Sequence, residues 1–301
     1  MSDMKSLFTE HPIVLMEAAI VERLRRAKEV QLHPMLANAG LIYDPVGRKA
    51  MRAIYEEYME LAIEAGLPML VCTPTWRAGK DRVLKSGVSK TVNADAVAFM
   101  QEIRRHDSIQ IGGMIGCKND CYLPDEGLSV ADAERFHVWQ IDQLAHGGVD
   151  FLIAETIPNV QEALGVAKAM AATSVPYIIS FVISRDGCVL DGTSLDEAIE
   201  FIDANTHARP TGYMVNCAHP SFLRPRMQSP AIFRRLIGFQ GNASSLDHCE
   251  LENADELKAD GISEWGDLML DLNETYGLQI LGGCCGTGID HLKYLVENRC
   301  G

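Results

Sequence analysis

Short apolar runs alternate with amphipathic stretches along this chain, and that alternation restricts its fold more than any other feature. Residues 12–16, 69–72 and 109–115 read as the first three strands. Between the first two, residues 47–65 have helical character, and Gly66 followed by Pro68 stops that helix. Residues 129–146 read as another helix, opened by Ser129 and Asp132 at capping-box spacing, with Val138, Ile141, Leu144 and Ala145 on its apolar face. Residues 149–154 are apolar throughout, as suits a buried parallel strand. Val160, Ala163, Leu164, Ala167 and Ala171 then share a helical face. Residues 177–183 read as a fifth strand, and Ser194 with Glu197 caps the next helix. Residues 213–215 and 236–239 supply the sixth and seventh strands. Residues 277–281 lead into an eighth, and residues 291–297 close the chain as a helix.

Strands that alternate with helices belong to the α/β class with a parallel sheet. Eight such units in 301 residues predict a single (β/α)8 TIM barrel, one domain over residues 1–301. An open doubly wound sheet is the competing arrangement, and the absence of Gly-x-Gly-x-x-Gly after the first strand weakens it. The long polar stretches 218–235 and 242–262 are then expected at the C-terminal ends of strands, where barrels shape their sites.

A formal net charge of -14 argues against a nucleic-acid or anionic-lipid surface as partner. The longest apolar runs, near residues 148–154 and 175–183, fall well short of the roughly 20 residues a spanning helix needs. Residues 1–11 lack the basic and apolar regions of an export signal, so a cytoplasmic location is expected. Nine cysteines in such a chain do not suggest a disulfide framework. Cys72, Cys188, Cys249 and Cys300 read as small buried or surface thiols.

Cys284 and Cys285 stand apart, in Gly282-Gly283-Cys284-Cys285-Gly286-Thr287. Neighbouring side chains on a strand point to opposite faces, so both thiols reach one metal only if the backbone turns sharply between them. The flanking glycines allow that turn. Val215-Asn216-Cys217 brings a third thiol to the same end of the barrel. Three thiolates and an open position describe a catalytic zinc site, which lowers the pKa of a substrate thiol and prepares it to attack a methyl group on a cationic donor. Three unrelated cysteines, or a redox pair at Cys284 and Cys285, are the alternatives. Cys117-Lys118-Asn119-Asp120-Cys121 reads as a loop thiol pair, with a second metal or redox site as its alternative, and His291 as a helix-capping or surface histidine rather than a fourth ligand.

The two cysteine motifs resemble the zinc motifs of the homocysteine S-methyltransferase family. The resemblance extends over nearly the whole chain. It implies a (β/α)8 barrel, zinc held by Cys217, Cys284 and Cys285, and methyl transfer to homocysteine giving methionine, with no separate general base. Asp150-Phe151-Leu152-Ile153-Ala154-Glu155-Thr156 resembles the fourth-strand motif, which implies that Glu155 receives the substrate amino group beside Thr156. Residues 73–78 resemble the second-strand Thr-rich motif, implicating Thr73 and Thr75, and residues 240–243 the seventh-strand element, implicating Asn242. The family's first strand ends in Asp-Gly-Gly or Asp-Gly-Ala; here Glu17-Ala18-Ala19 stands there, with Glu17 in the place of the Asp.

The expected partners are a small thiol and a small methyl donor, S-methylmethionine or a betaine-like onium compound. Self-association is left open. A different thiol acceptor, a separate corrinoid donor protein, or a zinc or thiol sensor without turnover are the competing functions.

Overall fold

Eight parallel strands close into a barrel in the computed structural model, which describes residues 4–246 and 259–299. The strands are β1 (Val14–Met16), β2 (Met69–Cys72), β3 (Ile109–Gly116), β4 (Phe151–Ile157), β5 (Tyr177–Phe181), β6 (Gly212–Ala218), β7 (Leu236–Gly241) and β8 (Ile280–Gly283). They lie in sequence order, and Val14 and Leu15 of β1 pair with Ile280 and Leu281 of β8 to complete the ring. Helices α1 (Met4–Glu10), α2 (Val21–Arg26), α3 (Pro45–Glu64), α4 (Lys80–Ser86), α5 (Val92–Ile103), α6 (Val130–Gly147), α7 (Val160–Ala171), α8 (Leu195–Asn205), α9 (Ile262–Glu274) and α10 (Ile289–Asn298) accompany them. The fold is a TIM barrel, as the alternation predicts. Cys249, Cys300 and most of the polar stretch 242–262 lie outside the described residues.

Capping chemistry sets the helix starts. Ser129 accepts from the Asp132 amide at the head of α6, and Ser194 and Glu197 form a complete capping box on α8. Asp44 caps α3, and Gly66 ends the chain's turn after it at φ +66°.

Two apolar cores result. One fills the barrel lumen with Val14, Met16, Leu70, Phe151, Ile178 and Ile280, closed at the N-terminal end by Leu7 of α1. The other lies between strands and helices, around Tyr55, Phe99, Leu152, Phe181 and Trp265. Small residues make the lumen fit: a Cβ on Gly112 of β3 would stand 2.4 Å from Phe151 Cζ. Among the described residues no helix is long and apolar enough to cross a membrane.

Several strands run past their expected ends. β4 continues through Glu155 and Thr156, and β6 through Asn216 and Cys217. An apolar run stops at the first polar side chain, whereas the hydrogen-bonded ladder continues to the mouth of the barrel. β5 is shorter than expected, because Ile183 leaves it to bridge Val189 in the following loop.

Candidate active site

All six strand ends expected to carry functional side chains meet at the C-terminal mouth. Cys284 and Cys285 follow β8 in a turn closed by Thr287, whose amide and hydroxyl both donate to the Cys284 carbonyl, at 3.2 and 2.6 Å. Gly283 packs so tightly on Thr287 that a Cβ would stand 2.1 Å from its hydroxyl oxygen, and Gly286 takes φ +81°. Asn242, just past β7, accepts from the Cys285 amide at 3.1 Å, and Glu22 of α2 accepts from the Gly286 amide.

Cys217 comes from a bulge near the end of β6. The register with β7 shifts between Asn216 and Ala218, and Cys217 sits at φ +52°. That conformation turns its thiol toward the double-Cys turn. The three Sγ atoms lie within 4.8 Å of one another, with Cys217 and Cys284 at 2.7 Å, and Cys285 is exposed on the open side. Three thiolates that close repel strongly, and a divalent cation among them offsets the repulsion. The sulfur-only donor set suits zinc over magnesium or calcium, so the residues present fit the metal the sequence implies.

A polar brace holds Cys217. Asn216 is buried, and its carbonyl oxygen accepts from the Thr156 amide at 2.8 Å and the Ser180 hydroxyl at 2.7 Å. Its amide nitrogen donates to Thr156 Oγ1 at 2.7 Å and to Cys217 Sγ at 3.5 Å. Thr156 Oγ1 donates to the same sulfur at 3.6 Å. Thr156 itself sits at φ +58°, unusual for a β-branched residue, where the β4–β5 register also shifts. Sequence reasoning named Thr156 and Cys217 but missed the side chains of Asn216 and Ser180; the polar residue next to the motif cysteine was the available signal.

Below this brace lie two buried carboxyls. Glu17 accepts from the Cys72 amide at 2.7 Å, and the Cys72 thiol donates to Glu155 at 3.9 Å. Burial lifts Glu155 to about 8. Burial also raises Glu17 well above the usual carboxylate range, against the Cys72 hydrogen bond and with help from the Glu155 charge. Among the described residues neither carboxyl bonds a basic side chain, so no ion pair offsets the cost of burying their charge. Thr73 and Thr75 are fully buried between β2 and β3: their hydroxyls pair at 2.7 Å, Thr75 donates to the Met114 carbonyl, and Thr73 accepts from the Met114 amide.

His291 accepts from the Gly288 amide through Nδ1 at 3.2 Å and so caps α10. Among the described residues the three cysteines form the one trio of His, Cys, Asp or Glu close enough to share a metal, so Cys117 and Cys121 belong to no such group. Both are buried, which raises their thiols, Cys121 to about 12.

The family model for homocysteine S-methyltransferases matches residues 14–299. The chain belongs to the homocysteine S-methyltransferase family. An S-methylmethionine–homocysteine S-methyltransferase of Pongo abelii is 25% identical over 267 residues, covering 82% of this chain and 69% of that protein. The homocysteine S-methyltransferase of Escherichia coli strain K12 is 21% identical over 308 residues, covering 94% of each. The metallated form of the Escherichia coli homocysteine methyltransferase MmuM superposes with a TM-score of 0.76 at 18% identity, over 98% of this chain and 99% of that one, and so shares its fold. This homocysteine S-methyltransferase family enzyme departs from the expected pattern after β1. Ala18 and Ala19 are buried, and α2 follows directly, with Glu22 reaching the double-Cys turn.

Proposed function

We propose that the chain, one homocysteine-binding-type barrel over residues 1–301, moves a methyl group from a small onium donor to the thiol of homocysteine, giving methionine. The donor is S-methylmethionine or a betaine-like compound, and the reaction takes place in the cytoplasm. The observation that carries this reading is the convergence of Cys217, Cys284 and Cys285 at the barrel mouth, open on the Cys285 side. Zinc held by these three sulfurs would lower the pKa of a thiol at its open position.

Glu155 pairs with the acceptor's ammonium, with Glu17 beside it, since an ammonium entering between two unpaired buried carboxyls draws one into its ionised form. Thr156 and Asn242, each bonded to the cysteine motifs, and Thr73 and Thr75, beside Cys72, complete the proposed acceptor site. The acceptor thiol gives up its proton to water, and its sulfur attacks the donor's methyl carbon. The donor's C–S or C–N bond breaks, and its electron pair stays on the heteroatom. The donor's positive charge is thereby neutralised, so no acid need protonate the leaving group.

Titration calorimetry of L-homocysteine, with zinc measured on the same sample, tests this. One zinc per chain and saturable binding, both lost on alanine substitution of any one cysteine, is the expected result. Stoichiometric zinc retained in any of the three variants overturns the ligand set. Glu17-Ala18-Ala19 and the α2 helix favour a second reading, a different small thiol as acceptor. Zinc-loaded protein that ignores homocysteine but binds another thiol would select it.

A further inference from the structure

A cleft of about 540 Å3 opens on the C-terminal face of the barrel, between the segments that follow β2 and β3 at the starts of α4 and α6, and no cysteine of the metal centre lines it. Lys80, Lys118 and Arg135 face it beside Phe136. A narrow crevice continues inward past Lys118 and Phe136 to Arg77, Arg82 and Trp76. Five cations thus gather in one groove of a chain whose net charge is -14.

The acids nearby balance them only in part: Asp132 pairs with Arg135, and the Asp120 charge favours that of Arg82. Asp132 is already engaged, accepting from the Ser129 hydroxyl at 2.6 Å and from Arg135 at 2.5 Å. Asp81 is the other carboxylate of the cleft. Lys118 Nζ stands 5.2 Å from the Phe136 ring centroid, and the Arg77 guanidinium 4.4 Å from that of Trp76. These contacts position the cations and bring no formal negative charge. Arg82 donates to the Lys118 carbonyl at 3.3 Å, where burial and the Arg77 charge both work against its own charge. Like charges held together in a concave site focus a positive field outward. The cleft volume suits a small molecule.

We propose that this groove binds a multiply charged anionic small molecule, bearing phosphate or carboxylate groups, at a site separate from the metal centre. Its inner end reaches Trp76, whose indole donates to the Glu155 carbonyl at 3.4 Å.

Calorimetric titration of the zinc-loaded full chain with fructose 1,6-bisphosphate and, separately, with tricarballylate tests the proposal. A saturable site for one or both is expected, and which of the two binds assigns phosphate or carboxylate chemistry. Lys118→Ala/Arg135→Ala is expected to weaken it about tenfold or more, and Lys80→Glu, at an exposed position, to weaken it likewise. Zinc content and homocysteine titration are expected to be unchanged, which separates this outcome from failure of the proposed methyl transfer. No saturation of either anion up to about 10 mM at low salt, or parent-like binding by both variants, overturns it.

Discussion

Asn216 uses its whole hydrogen-bonding capacity at one spot. Its two amide protons go to Thr156 and Cys217, and its oxygen takes the Thr156 amide and the Ser180 hydroxyl. Outer partners of this kind fix the orientation of a ligand and the charge on it. Asn216→Ala is expected to lower zinc affinity about 10–100-fold, measured by competition with a chelator. It also strands buried polar groups, for a stability loss of about 1–3 kcal/mol on urea denaturation. Glu155 gives a pH signature. Its proton is held in the folded chain up to about pH 8, whereas the ordinary value is 4.5. Between those values the folded state binds more protons than the unfolded one, so this group's stabilising contribution, complete below 4.5, is lost as pH rises through 8. Glu155→Gln is expected to flatten the decline in urea midpoint between pH 5 and pH 8. An unchanged slope would show that Glu155 ionises freely in the folded chain.

At the scale of elements, local chemistry told the sequence reading where α6, α7 and α8 begin and where strands lie, but not where strands end, and it did not reveal α1, α4, α5 or α9. β2 coincides with the expected residues 69–72, and α8 starts at its capping box. β4 and β6 overrun their apolar cores, since Glu155, Thr156, Asn216 and Cys217 are polar but remain in the ladder. The bulges at Thr156 and Cys217 left no local signal, since neither residue favours a left-handed backbone. The cysteine trio was legible because its residue types and glycine frame are rare together, whereas the brace around it depends on contacts between strands distant in sequence. Helix α2 was missed as well; it is six residues long and polar on most of its surface. Its role is specific, because Glu22 accepts from the Gly286 amide inside the double-Cys turn and also pairs with Arg26. Glu22→Ala is expected to loosen that turn by about 1–2 kcal/mol and to speed zinc release to a chelator about tenfold, with the fold intact by circular dichroism. Equal release rates in parent and variant would leave α2 without a part in holding the metal.

For the molecule as a whole, the lumen core links stability to the site. Phe151, Cys72 and Gly112 meet inside the barrel: a Cβ on Gly112 would stand 2.4 Å from Phe151 Cζ and 3.1 Å from Cys72 Sγ. Cys72 in turn holds Glu17 through its amide and reaches Glu155 through its thiol. Packing in the barrel therefore sets the height and spacing of the two carboxyls, while the cysteine trio hangs on β6 and on β8, the neighbour of β1. Gly112→Ala is expected to cost about 1–3 kcal/mol through overpacking, read as a lower urea midpoint, and to raise the homocysteine KM while zinc stays bound. Gly66→Ala provides the contrast. That glycine has φ +66° and nothing within 4 Å of its absent Cβ, so its substitution brings backbone strain of about 1 kcal/mol and no change in KM. If both variants destabilise alike and neither moves KM, the lumen supports the fold without positioning the acceptor carboxyls. If Gly112→Ala alone shifts KM, the interior of the barrel and the chemistry at its mouth form one mechanical unit.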